Sequence, residues 1–113
     1  MHEVGLVNSI LESADRSARS NGATHIPRLS LRIGALSGVV VEAITFAWAA
    51  LTPSTLAKGA ELDIEFEPAR CVCIDCSTEF EPPDIIFLCP KCASTNTEIR
   101  SGRSLEILSM EIS

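Results

Sequence analysis

Apolar residues recur at three- and four-residue spacing in two segments of the chain, which is the pattern of helices that bury one face. The first segment contains Val4, Val7, Leu11, Ala14 and Ala18. It begins at Glu3 and meets a stop signal at Asn21-Gly22, so it predicts a helix of about five turns.

The second helical segment follows a turn at Ser37-Gly38 and precedes Pro53. Its apolar positions are Val41, Ile44, Ala47, Trp48 and Leu51. We expect this helix to carry the only tryptophan of the chain toward the core.

A period of two residues predicts three strands. In the first, Leu29, Leu31 and Ile33 alternate with polar or small residues after Pro27. In the second, Leu62 to Glu67 alternates apolar and acidic side chains, and Pro68 ends it. The third strand, near residues 105–112, contains a one-residue slip that suggests a bulge.

The acidic residues of the second strand, Asp63, Glu65 and Glu67, fall on one side of the alternation. We interpret them as the wet face of a sheet rather than as acid-base groups.

The order of elements predicts an α/β fold with a small three-stranded mixed sheet and two helices. A strand-helix-strand unit makes the first two strands parallel if they are neighbours. The last strand is then free to run antiparallel to the second, although the pattern leaves the strand order open. We assign residues 1–68 and 103–113 to this α/β domain.

Between residues 69 and 102 the apolar residues follow neither the helical nor the strand spacing, and all five cysteines lie in this segment. Cys73 and Cys76 form one C-x-x-C pair, and Cys89 and Cys92 form a second. Two such turns present four thiolates to one tetrahedral ion, either zinc or iron. Because so short a segment buries little apolar surface, a structural metal explains how it folds. We expect an inserted zinc-ribbon-like module, with Cys71 as a spare thiol or an alternate ligand.

The composition and the missing motifs exclude several classes of function. The chain has 113 residues, 46% of them hydrophobic, and a net charge of -6, so it is expected to fold and lacks the basic surface that binds nucleic acid. No signal peptide and no membrane span is recognisable, which predicts a protein of the reducing cytosol. The chain has no P-loop and no G-x-S-x-G motif, and with two histidines and no tyrosine it offers no converging catalytic set. It is not expected to be an enzyme.

The chain begins Met1-His2-Glu3. The Met1 amine, the backbone nitrogen of His2 and its imidazole are adjacent nitrogens that suit square-planar Ni(II) or Cu(II). Glu3 supplies a carboxylate if the site is octahedral. The motif alone is weak, because His2 and Glu3 also suit the start of a helix. The other histidine, His25, is interpreted as an exposed loop residue.

Taken together, Met1-His2-Glu3, the first helix, the stretch Arg32 to Val39, the second helix and the two cysteine pairs closely resemble the HypA/HybF family, the nickel metallochaperones of hydrogenase maturation. The resemblance covers essentially the whole chain. It implies nickel binding at His2, with Met1 and Glu3 near it, and structural zinc at Cys73, Cys76, Cys89 and Cys92.

The resemblance also implies delivery of nickel to the large subunit of a [NiFe]-hydrogenase, together with a nickel-handling GTPase. Ser77 and Ala93 depart from the glycine that zinc knuckles often carry after the second cysteine of a pair. The competing interpretations are a zinc-ribbon adaptor and a rubredoxin-like electron carrier, neither with a nickel function.

Overall fold

A computed structural model describes residues 2–83 and 86–113 of the chain. These residues form two compact units. The first, which we call the α/β unit, contains the chain through Arg32 together with Val39–Glu65 and Glu106–Ser113. The second, which we call the cysteine unit, contains Ile33–Gly38 and Phe66–Leu105.

Two helices form where the apolar periodicity predicts them. Helix α1 spans His2–Ser20 and helix α2 spans Val41–Leu51. Helix α1 ends because Gly22 adopts a positive φ of 75°, a conformation that costs glycine little. After α2 a short 3-10 helix, Thr52–Ser54, ends the segment at its proline. No helix among the described residues is long and apolar enough to cross a membrane.

The core of the α/β unit contains one apolar side of each helix and the inward side of the first strand. Trp48 is 6% exposed, as the sequence predicts, and its indole N–H donates to the carbonyl of Ala60 at 3.3 Å. The other buried residues of this unit include Val7, Leu11, Ala14, Ala18, Leu29, Leu31, Ile44 and Ala47.

One three-stranded sheet, most of whose residues lie in the α/β unit, contains strands β1 (Arg28–Gly34), β2 (Glu61–Glu67) and β6 (Leu105–Glu111), in the order β2-β1-β6. Side-chain pairs of β1 with β2 advance along both strands in the same direction, so these strands are parallel. Strand β6 runs antiparallel to β1, because Thr24 pairs with Ser113 at one end and Arg32 with Glu106 further along. The predicted mixed sheet is confirmed.

The position of β6 resolves the strand order, which the sequence pattern left open. Strand β6 lies beside β1 and does not pair with β2. The physical reason is burial: β1 carries Leu29, Leu31 and Ile33, all fully buried, whereas Phe66 on β2 is 58% exposed. The most apolar strand takes the central position, where neighbours cover both of its edges.

Charged residues line the outer face of this sheet. Arg28 pairs with Asp63, and Arg32 contacts Glu65 at 3.0 Å and Glu106 at 3.2 Å. The hydrogen bond from Arg28 lowers the pKa of Asp63 below its ordinary value. Asp63 and Glu65 thus belong to an ion-paired face, whereas the half-buried Glu67 accepts a backbone hydrogen bond from Gly102.

The cysteine unit contains a second sheet that the sequence pattern did not predict. Its strands are β3 (Arg70–Cys73), β4 (Glu79–Phe80) and β5 (Thr97–Ser101), antiparallel in the order β4-β3-β5. Strand β4 has only two residues, both buried positions on β3 are cysteines, and Ile99 is the one apolar residue of β5. Alternation of apolar residues therefore gives no signal there.

A tight backbone crossing also lies within the cysteine unit. The N–H of Gly34 donates to the carbonyl of Ser104 at 2.7 Å, and the Glu67 carboxylate accepts the N–H of Gly102 at 2.7 Å. A Cβ at Gly34 would overlap the carbonyl oxygen of Gly102. Gly34 is needed here for close approach rather than for an unusual φ.

Candidate metal centre

The two cysteine pairs converge on one point. The Sγ atoms of Cys73, Cys76, Cys89 and Cys92 all lie within 4.8 Å of one another. The Sγ atoms of Cys73 and Cys92 are 3.5 Å apart, and those of Cys76 and Cys89 are 3.6 Å apart. Zinc–sulfur bonds of about 2.3 Å place the corners of a tetrahedron about 3.8 Å apart. The four sulfurs thus fit a zinc-sized ion, and the donor set leaves no position open for a substrate.

Each pair is presented by the same backbone turn. In the first turn, the N–H of Ser77 donates to the carbonyl of Cys73 at 2.8 Å, and the N–H of Cys73 donates to the carbonyl of Thr78 at 2.9 Å. In the second turn, the equivalent bonds join Ala93 to Cys89 at 2.9 Å and Cys89 to Ser94 at 3.0 Å. This repetition explains why two C-x-x-C pairs make matched halves of one site.

Both turns require a left-handed residue after the second cysteine. The φ angles are 63° at Ser77 and 61° at Ala93. This region is open to glycine and costs other residues roughly 1–2 kcal/mol. The presence of Ser77 and Ala93 in place of glycine therefore strains the backbone of the two turns. All four sulfurs nevertheless remain in the cluster.

Burial and hydrogen bonding differ among the four thiols. Cys73 and Cys89 are buried, whereas Cys76 and Cys92 are exposed. Hydrogen bonds from the hydroxyl and the N–H of Thr78 lower the pKa of Cys76 to about 6. The N–H of Ser94 lowers the pKa of Cys92, but the neighbouring thiols outweigh it and raise that pKa to about 12. Since metal binding requires thiolates, an ion displaces protons from this cluster.

Cys71 is not part of the cluster. It is 1% exposed and packs with Phe80, Phe87 and Ile99 in the small core of the cysteine unit. Burial raises the pKa of its thiol. Of the two interpretations left open by the sequence, the structure favours the spare thiol over the alternate ligand.

The amino-terminal candidates lie at the start of α1. His2 is exposed, Glu3 is half-buried in the first turn, and Met1 lies outside the described residues. Within residues 2–83 and 86–113, the only cluster of three or more potential metal-ligating side chains is the cysteine cluster. His2 and Glu3 are thus not joined by a third side-chain ligand. His25 is exposed, and its backbone pairs with that of Ser113.

Sequence reasoning missed four polar residues around the cluster. Thr78 contacts the Cys76 sulfur at 3.1 Å through its hydroxyl, and Asp75 accepts hydrogen bonds from Ser94 and Asn96. These bonds hold the pKa of Asp75 below its usual range, so it is a carboxylate at neutral pH. A usable signal was an acidic residue between two ligating cysteines and a hydroxyl residue two positions after each pair.

Comparisons with known proteins converge on one family. Residues 1–112 match the family model described as hydrogenase/urease nickel incorporation, metallochaperone, HypA. A hydrogenase maturation factor HypA of Picosynechococcus sp. is 43% identical over 112 residues, covering 99% of each chain. The factor of the same name from Aquifex aeolicus is 37% identical, covering 99% of this chain and 97% of that protein.

Two solved structures share the architecture. The solution structure of the Ni metallochaperone HypA from Helicobacter pylori has a TM-score of 0.68 and 31% identity, covering 97% of this chain and 96% of that one. A second structure, a HypA protein in solution, has a TM-score of 0.71 and 32% identity, covering 99% and 96%. The fold predicted from the sequence matches that of these proteins.

Proposed function

Because the chain belongs to the HypA family of hydrogenase and urease nickel-incorporation metallochaperones, we propose that it binds Ni(II) at its amino terminus and passes it on during maturation of a [NiFe]-hydrogenase. It is a metallochaperone and not an enzyme. The observation that carries the proposal is the family match across residues 1–112, which includes His2 and Glu3 as well as all four clustered cysteines.

The start of α1 suits a nickel site for a reason that comes from helix geometry. The first four N–H groups of a helix have no intrahelical acceptor. Since α1 begins at His2, binding of nickel to a deprotonated backbone nitrogen there breaks no helical hydrogen bond. The exposed imidazole of His2 adds a second nitrogen, and the Met1 amine a third. Glu3 follows with either its carboxylate or its amide.

The same location keeps the nickel easy to transfer. The partial positive charge at a helix start disfavours a cation, and the Glu3 carboxylate offsets part of it. An exposed terminal site also allows an incoming partner to contact the ion directly. A cage of four thiolates has no such open side, so the cysteine cluster does not suit delivery.

For the cysteine cluster we propose structural zinc. The Sγ separations of 3.5 and 3.6 Å fit tetrahedral zinc–thiolate geometry. When bound, zinc cross-links the two cysteine turns. The chain's own residues orient the sulfurs through the backbone bonds of each turn. We assign nickel to the domain formed by residues 1–68 and 103–113, and zinc to residues 69–102.

We propose two partners, a nickel-handling GTPase and the hydrogenase large subunit. The chain has no P-loop, so any dependence of nickel delivery on GTP must come from a partner. We also propose a cytoplasmic location, which fits five free thiols, because thiols stay reduced there.

Nickel titration calorimetry on untagged, zinc-loaded protein tests the proposal, with intact mass confirming that Met1 carries the free amine. We expect wild type and His25→Ala to bind about one nickel ion per chain, and His2→Ala to lose that ion. Each sample should keep one zinc ion, as counted by mass spectrometry. His25→Ala is the matched control, since both histidines are exposed.

Two further samples separate the ligands. Adding one residue before Met1 should abolish tight binding if the amine is a ligand, and Glu3→Gln should weaken it if the carboxylate is. If His2→Ala and His25→Ala bind nickel equally well, the terminal site is wrong. A red, iron-containing protein would instead support the rubredoxin-like alternative.

A further inference from the structure

Polar side chains outside the ligand set tie the two cysteine turns to each other. Asp75 lies between the two cysteines of the first turn, and its carboxylate accepts hydrogen bonds from Ser94, which closes the second turn, and from Asn96 just after it. The hydroxyl of Ser94 donates to one carboxylate oxygen, and the side-chain amide of Asn96 donates to the other at 3.3 Å. The backbone N–H of Ile74 adds a bond to the carbonyl of Asn96 at 2.9 Å. Three hydrogen bonds thus cross between the halves of the site.

The two turns use equivalent hydroxyls differently. Thr78 and Ser94 occupy the same position, two residues after the second cysteine of their pair. The Thr78 hydroxyl lies 3.1 Å from the sulfur of Cys76, whereas the Ser94 hydroxyl bonds to Asp75. Ser94 Oγ also accepts the N–H of Asn96 at 3.0 Å, which orients the hydroxyl proton toward Asp75. The Ser94 hydroxyl therefore fixes the turn rather than a sulfur.

Ser94 is well placed to transmit this constraint to the ligands. Its backbone carbonyl accepts the N–H of Cys89 at 3.0 Å, so the residue that bonds to Asp75 also closes the second turn. The position in the second turn that matches Asp75 is Lys91, so a carboxylate occupies this position in the first turn only.

We propose that Asp75 is a positioning residue of the metal centre, holding Ser94 and thereby fixing the second cysteine pair opposite the first. The proposal rests on the assignment of zinc to the cysteine cluster. Asp75 contacts no ligating sulfur and acts through the turn. Loss of the hydrogen bond between Asp75 and Ser94 allows the second turn to open and exposes the ion to competing ligands.

The size of the effect follows from comparable sites. Loss of an outer residue that orients a metal ligand costs about 10- to 100-fold in metal affinity. Asp75 acts one step further out, so we expect the lower end, about a tenfold faster transfer of zinc to a competing chelator. Asp75→Asn keeps one acceptor oxygen for Ser94 and loses the other, so its effect should be intermediate.

The experiment follows zinc transfer from the full, zinc-loaded chain to a colorimetric chelator, with cobalt-substituted protein as a spectroscopic check. The variants are Asp75→Ala, Asp75→Asn, Ser94→Ala and the double variant Asp75→Ala/Ser94→Ala. Glu79→Gln is the matched control, because it removes an exposed carboxylate from the same unit. We expect Asp75→Ala and Ser94→Ala each to speed transfer, the double variant to be no faster than the faster single variant, and Glu79→Gln to behave as wild type.

The outcomes separate the explanations. Cobalt spectra of tetrahedral thiolate type in every variant, with faster loss only in the Asp75 and Ser94 variants, support positioning. Effects of the two single changes that multiply, or an Asp75→Ala rate equal to that of Glu79→Gln, overturn it. If Asp75→Ala fails to fold, Asp75→Asn decides by the same comparison. If the wild type carries no zinc, the assignment of the cluster fails first and the inference fails with it.

Discussion

Replacing Ala93 with glycine should strengthen the metal centre, although glycine usually weakens a folded chain. Ala93 has a φ of 61° and directly follows the last cysteine of the cluster. Its N–H donates to the carbonyl of Cys89, so the turn holds it in this conformation. Ala93 is a cleaner site than Ser77 because its methyl group makes no hydrogen bond.

Two opposing terms set the magnitude. An L-residue in the left-handed region costs roughly 1–2 kcal/mol, which glycine relieves. Glycine in turn gains freedom in the unfolded chain worth about 0.5–1 kcal/mol. The net expectation for Ala93→Gly is a stabilisation of about 0.5–1 kcal/mol. Because the turn folds around its ion, this gain should appear as zinc binding about two- to fivefold tighter.

The assay is zinc competition against a chelator of known affinity, with urea unfolding of the zinc-loaded protein as a second readout. Ala35→Gly is the matched control: Ala35 is exposed, lies in the same unit, and is not among the described non-glycine residues with a positive φ. There, glycine relieves no strain and should lower the unfolding free energy by about 0.4–1 kcal/mol.

The two variants are therefore expected to differ in sign. If Ala93→Gly weakens zinc binding and lowers stability as much as Ala35→Gly does, the left-handed turn stores no strain and the reasoning is refuted.

Three further predictions concern the rest of the chain. Gly34→Ala should lower the free energy of unfolding in urea by at least about 2 kcal/mol, because the new methyl group overlaps the carbonyl of Gly102. The control Gly5→Ala lies in α1 where space is open, and it should raise that free energy by up to about 1 kcal/mol. Equal effects of the two substitutions would contradict this prediction. The hydrogen bond from Arg28 lowers the pKa of Asp63, so the ionised Asp63 stabilises the fold at pH values above its ordinary pKa. This stabilisation is lost as the pH falls through the lowered pKa of the folded state. Asp63→Asn should thus be less stable than wild type at neutral pH and equal to it in strong acid, and a pH-independent difference in urea midpoints would argue against the pair. Removal of the metal with a chelator, in the presence of a thiol reductant, should abolish protection from amide hydrogen exchange in the cysteine unit but leave α1 and α2 protected. Loss of protection in both units would contradict this and show that the α/β unit depends on the metal.

Local patterns in the sequence were enough to predict the helices, the longer strands and the four cysteines that cluster. Helix α2 spans the residues that the apolar spacing indicated, Val41–Leu51, and α1 stops before Asn21-Gly22. The spacing of the cysteine pairs predicted which four sulfurs would meet, and Cys71 is the thiol left out. These features depend on residues a few positions apart, so they can be found without a fold.

Tertiary structure decided the features that join distant segments. Strand β6 lies beside β1 because β1 buries more apolar surface than β2. This difference in burial cannot be found from the sequence of one strand alone. The strands of the cysteine unit carry too few apolar residues to show a period in the sequence, and they form where the chain returns beside itself.

The same holds for the surroundings of the metal centre. The bonds of Asp75 to Ser94 and Asn96 span 19 and 21 residues, and the positive φ of Ala93 is imposed by closure of the turn around its cysteines. The sequence determined the donors because their chemistry is carried by residue type and local spacing. Their orientation was decided by the folded chain, because it depends on hydrogen bonds that form only when separate turns are brought together.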